Sequence, residues 1–162
     1  MTAGDTATES ITIQASPEAV YNAIADVSRM PSWSPELRSV RVPYEGPLKF
    51  GDVFAGVNKK GIQIWRTTSK VTKSESPKVF EIEVTGLRLP VSTWRYEIEP
   101  VAGGSRLTVT WIDNRAGLRG DAMRVMGFAA TGVWNRDDHN ANGMRITLEA
   151  LKKELESKGA AA

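Results

Sequence analysis

His139 is the one histidine in 162 residues, and imidazole is the side chain whose unperturbed pKa lies closest to neutrality, so general acid–base chemistry would begin there. It stands in the run Asn135-Arg136-Asp137-Asp138-His139-Asn140-Ala141-Asn142. Tyr96, Asp113 and Asn140 are the other polar side chains a proton-handling site would draw on, and with His139 they form the catalytic candidates. No spacing ties two of them into a dyad. Asp137 and Asp138 have a structural reason of their own, because acidic residues stabilise a helix N-terminus through its dipole. The absence of cysteine removes thiolate nucleophiles, disulfides, thiolate metal sites and iron–sulfur clusters, and one histidine cannot make a multi-histidine metal site. Gly117, Gly120, Gly127 and Gly132 surround Met123, Met126 and Phe128, but without a Gly-Lys-Ser/Thr they make no phosphate loop. Neither a metal nor a cofactor is expected.

The aromatic residues offer a different chemistry, that of shape and desolvation. Strand parity turns Trp65, Phe80, Trp94, Tyr96 and Trp111 to one face, together with Ile82 and Val109. Large rings with one polar atom each suit the wall of an apolar pocket that orients a guest with few hydrogen bonds. A packed core is the competing reading, since inward aromatic side chains are usually just buried. Met126, Asn140 and Met144 extend the candidate wall, and Trp33, between Pro31 and Pro35, either closes the mouth or covers the first helix. Residues 116–132 read as a mobile lid or as a short amphipathic helix completing the core. Residues 56–61 read as a flexible hairpin at the entrance or as a simple turn.

Trp65-Arg66 and Trp94-Arg95 look like aromatic–basic pairs, but consecutive strand residues face opposite ways, so inward tryptophans put these arginines in solvent. The formal charge is only +2, from 21 basic and 19 acidic residues, and nucleic acid is not an expected partner. The first ten residues lack a basic n-region and an apolar h-region, and no stretch approaches the roughly 18 apolar residues of a membrane span. A cytoplasmic location and no integral membrane segment are the expectations.

The elements that must position these residues follow from pattern. Residues 1–7 read as a disordered arm, 8–158 as a single domain and 159–162 as a flexible tail. Residues 9–15 alternate as a half-buried strand. Ser16 then caps a short helix with Pro17 at its first position, and a second turn or bend spans 26–33. Turn residues divide the stretch from Leu37 to Arg115 into about six antiparallel strands. The period then changes to a short helix near 122–130 and a long one over 137–157, whose stripe is Met144, Leu148, Leu151 and Leu155. Counting back along that stripe puts Asn140 and Asp137 near its inward side and His139 about 100° away. This is an α+β pattern in which about seven strands curve around one terminal helix.

At this point the chain resembles the START-like, Bet v 1-like superfamily, and within it the polyketide cyclase/dehydrase and lipid-transport (SRPBCC) proteins common in actinobacteria. The resemblance rests on Ile11-Thr12-Ile13-Gln14-Ala15-Ser16-Pro17-Glu18-Ala19-Val20-Tyr21, on Asp26-Val27-Ser28-Arg29-Met30-Pro31-Ser32-Trp33-Ser34-Pro35-Glu36, on Trp94-Arg95-Tyr96 with the Gly103-Gly104 turn, and on Leu148-Glu149-Ala150-Leu151-Lys152. It implies a helix-grip fold with an internal cavity between sheet and C-terminal helix that takes a hydrophobic small molecule such as a lipid, polyketide or aromatic. Binding or transport is the function expected, and a polyketide cyclase, aromatase or dehydratase enzyme is the alternative. The family supplies no universal catalytic motif, so no catalytic residue is carried across. A module presenting its sheet face to a protein partner ranks last, because that face is mixed in charge. The protein is expected to be a monomer or a weak dimer.

Overall fold

The computed structural model describes residues 5–115, 117–132 and 136–160. Strand β1 (Thr6–Ile13) leads into helix α1 (Pro17–Ala25) and a 3-10 turn (Val27–Ser32). Strands β2 (Leu37–Arg41), β3 (Val53–Lys60), β4 (Gln63–Glu75), β5 (Val79–Gly86), β6 (Leu89–Val101) and β7 (Gly104–Asp113) follow, then helices α2 (Gly117–Thr131) and α3 (Arg136–Ala160). The sheet has seven strands in the order β1-β7-β6-β5-β4-β3-β2, antiparallel throughout. The curved sheet around a long terminal helix is the helix-grip arrangement expected from the sequence.

Three boundaries differ from the sequence reading. Thr6 and Ala7, read as part of the arm, pair with Ile112 and Trp111 and so extend β1. α2 begins at Gly117 and α3 continues through Gly159 and Ala160, because a helix already packed along one face propagates at little cost past a glycine. Residues 1–4 and 161–162 of the expected arm and tail lie outside the described residues.

Local chemistry fixes the bends. The Ser16 hydroxyl accepts from the Ala19 amide at 3.2 Å, with Pro17 in the first turn. Pro31 lies inside the 3-10 turn, and the Trp33 amide donates to the Met30 carbonyl, which closes it. Gly103 adopts φ 79°, and a Cβ on Gly104 would meet the Ile13 carbonyl oxygen at 2.1 Å, so this hairpin needs both glycines. Register shifts in the β2/β3, β4/β5 and β5/β6 ladders bend the sheet.

Register places the concave side chains in rows across the strands. Phe80, Tyr96 and Val109 form one row, Val71, Ile82, Trp94 and Trp111 the next, and Phe54, Ser69, Val84, Ser92 and Asp113 a third. α1 fills the end below the first row, where Tyr21 meets Phe80 edge-on with ring centroids 6.3 Å apart. Met144, Leu148, Leu151 and Leu155 of α3 are all buried, as their spacing predicts.

Glu154 ties α3 to the bend after α1. Its carboxylate accepts from Arg29 Nη2 at 2.5 Å, Trp33 Nε1 at 2.6 Å and Lys158 Nζ at 2.6 Å. Arg29 also lies 5.3 Å from the centre of the Trp33 ring. Partial burial pushes the Glu154 carboxyl up, but the hydrogen bonds from Lys158, Arg29 and Trp33 outweigh it and hold the pKa down to about 2, against an ordinary 4.5. A carboxyl depressed on folding stabilises the native state above its unfolded pKa, and that stability is lost as pH falls toward the folded value. Glu154→Gln is therefore expected to lower the unfolding free energy by about 1–3 kcal/mol at neutral pH. In urea denaturation the difference from wild type should close as pH falls from 4.5 toward 2.

Candidate functional site

Above the α1-filled end, the sheet and α3 stand apart around a cavity of about 790 Å³. That volume suits a lipid- or drug-sized guest. Trp33, Trp65, Ile82, Trp94, Tyr96, Val109, Trp111, Met126, Asn140 and Met144 all line it. Phe80 does not; it is fully buried beneath the cavity against Tyr21 and Tyr96, which is the core role that parity alone could not separate from a wall role. α2 covers one side with Met123, Met126, Gly127 and Ala130, and the hairpin with Gly56, Asn58 and Gly61 borders another.

The polar groups inside are few. Ser69, Ser92 and Asn140 are buried, and their side chains make no hydrogen bond to protein among the described residues. Tyr96 likewise has no hydrogen-bond partner there, and burial pushes its phenol pKa above the ordinary 10.0. It is thus a neutral hydroxyl facing the cavity, able to donate or accept, and a poor base. His139 Nε2 lies 2.5 Å from Glu36 Oε1, a pair that joins α3 to the segment before β2, and both residues line the cavity. His139 sits at the rim while Asn140 faces inward, as helical counting predicts; the Asp137 side chain, placed inward by the same counting, lies outside the described residues, as do residues 133–135.

Asp113 departs from the catalytic reading. It is 1% exposed and is not on the wall. Its Oδ1 accepts from the Arg115 amide and Nε, each at 2.9 Å, and Oδ2 from Arg115 Nη2 at 2.8 Å and Arg124 Nη2 at 3.4 Å. Burial pushes this carboxyl up, but the Arg115 hydrogen bonds and the two guanidinium charges outweigh it and lower the pKa. A carboxylate so occupied holds structure and leaves no lone pair to abstract a proton.

Sequence reasoning missed Glu36, Ser69, Ser92, Arg115 and Arg124. Ser69 and Ser92 were open to parity, since Ser92 shares a face with Trp94 and Tyr96. The arginines were not, because Arg115 follows the last strand and Arg124 reaches the cluster from α2. Arg95 pairs with Glu81 at 2.6 Å on the other face, as parity predicts, whereas Arg66 is exposed but also borders the cavity. Among the described residues no group of three His, Cys, Asp or Glu side chains could hold a metal ion, and no helix is long and apolar enough to cross a membrane. Removing the Asp113 charge leaves Arg115, 8% exposed, poorly compensated. Asp113→Asn should cost about 3–5 kcal/mol in chemical denaturation, and a loss below about 1 kcal/mol, the scale of an exposed pair, would contradict this role.

Comparison with known proteins agrees with the geometry. A crystal structure of protein NE0264 from Nitrosomonas europaea superposes with a TM-score of 0.66 at 19% identity, covering 96% of each chain. The solution structure of the Polyketide_cyc-like protein Cgl2372 from Corynebacterium glutamicum superposes with a TM-score of 0.63 at 28% identity, covering 98% of this chain and 95% of that one. The crystal structure of Ara h 8.0201 gives a TM-score of 0.64 at 15% identity over 96% of this chain and 99% of that one. No curated protein matches with significance. The sequence profile of polyketide cyclase / dehydrase and lipid transport proteins matches residues 5–156. With its bent seven-stranded sheet around α3, the chain belongs to that family, within the START-like, Bet v 1-like superfamily.

Proposed function

We propose that the protein binds or carries a hydrophobic small molecule in the cavity between the sheet and α3. The observation that carries this reading is the cavity itself, about 790 Å³ walled by Trp65, Trp94, Trp111, Ile82, Val109 and Met144. Its free energy source is desolvation: each fully buried side-chain-sized apolar group of a guest contributes roughly 1.5–3 kcal/mol before ordering costs. Ser69, Ser92, Tyr96 and Asn140 supply the few hydrogen bonds that orient it.

A second reading, an enzyme of cyclase or dehydratase type, is favoured by one observation. His139 and Glu36 form an imidazole–carboxylate pair on the cavity wall, an arrangement that can move a proton if a substrate reaches it. Turnover of a poly-β-ketone surrogate that vanishes in both His139→Ala and Glu36→Gln would support it; turnover undiminished in both would remove it.

The binding reading is tested with the neutral probe N-phenyl-1-naphthylamine. Saturable single-site enhancement of its fluorescence, with quenching of tryptophan emission, is expected. Ser92→Trp places an indole in the row between Val84 and Asp113. It should weaken the probe at least about tenfold, which is ~1.4 kcal/mol, with an unchanged circular dichroism spectrum. Absence of saturable binding would sink the proposal.

A further inference from the structure

The cavity's α2 side carries more positive than negative charge. Arg115 lines the cavity, is 8% exposed, and spends Nε and Nη2 on Asp113. Its Nη1 has no hydrogen-bond or ion-pair partner among the described residues. Arg124 stands behind it, giving Nη2 to Asp113 and to the Arg115 carbonyl, while its buried Nε has no partner. Two guanidinium groups thus share one buried carboxylate. Asp121, the other acid on Arg124, is 68% exposed, so water and salt screen its charge.

The backbone beside this cluster is kept open. Gly127 of α2 faces Arg115, and even a Cβ there would come within 3.9 Å of Nη1. Ser92, cross-strand partner of Asp113, adds a hydroxyl on the same wall. A buried guanidinium with an unused N–H is costly, and an oxyanion is the group that satisfies it best. Counting the buried Asp113 and leaving out the exposed Asp121, the excess is one unit of charge, which a monoanion balances and a dianion overshoots.

We propose that Arg115 Nη1, with Arg124 behind it, forms an acid-recognition subsite, and that the guest is an apolar or aromatic molecule ending in one carboxylate. This rests on the apolar-guest reading above and names the polar end of that guest. The aromatic rows take the body while the α2 side takes the anion. Arg115 is here a binding residue and no chemical step is assigned to it.

Titration with cis-parinaric acid and with its methyl ester at pH 8 separates the two readings, because the pair differs in charge while sharing the chain. The wild-type protein should bind the acid about ten- to a hundredfold more tightly than the ester, the worth of a charge-assisted hydrogen bond in a buried site. Two variants should bring the acid-to-ester ratio near one. Asp113→Asn/Arg115→Gln removes the guanidinium without stranding its carboxylate. Gly127→Val covers Nη1 and leaves the ion pair in place, so a folding defect in the first variant does not end the test. Equal affinities in wild type, or a preference for the acid that survives in both variants, overturns the subsite while ester binding leaves the apolar-guest reading standing. Binding of neither probe overturns both.

Discussion

A sheet bent this strongly presents more concave surface than one helix stripe can cover, and that mismatch is the constraint on which the rest depends. α3 buries Met144, Leu148, Leu151 and Leu155, and α1 fills the end where Tyr21 meets Phe80. The rows beyond, through Trp94, Trp111 and Ser92, face the cavity. Glu154 holds α3 in this position by gathering Arg29 and Trp33 from the bend, so the roof is fixed by polar contacts at the filled end. A helix free to settle inward would close the space and bury the same tryptophans as ordinary core.

Polar groups around the hollow divide into two kinds. Among the charged ones, Arg38, Lys59 and Arg66 border the space where they are exposed, while Asp113 is shared by Arg115 and Arg124, and His139 meets Glu36. Leaving such charges unpaired in a water-poor space would cost several kcal/mol. The neutral ones, Ser69, Ser92, Tyr96 and Asn140, face the space with no side-chain hydrogen-bond partner among the described residues, which costs far less because a guest or water can satisfy a hydroxyl or amide. The result is a largely apolar chamber with a handful of hydroxyl, amide and guanidinium groups on its wall.

Much of this was legible in the chain. Alternation in β5, β6 and β7 assigned Ile82, Trp94, Tyr96, Val109 and Trp111 to the concave face, and the four leucine and methionine positions of α3 fixed its buried side. Depth along the sheet was not legible, since parity says which face a residue occupies and nothing about how far α1 reaches beneath it. Phe80 was therefore indistinguishable from Trp94. Long-range polar pairs were equally hidden: Glu36 meets His139, and Glu154 meets Trp33, across more than a hundred residues, with no local signal to announce them. Asp113 read as a catalytic candidate because nothing in the sequence marks Arg115, two residues on, as turning back onto it, and Arg124 reaches it only from α2.

Methyl-resolved NMR under xenon pressure asks most directly whether the space is hollow and apolar, because xenon partitions into such cavities whatever their natural occupant. The methyl signals of Ile82, Val109, Met126 and Met144, which line the space, should shift with xenon concentration, while those of Ile13, Val20 and Leu107 in the packed region stay fixed. Shifts absent from the first group, or no larger there than in the second, would mean that sheet and helix close on each other and that no chamber exists.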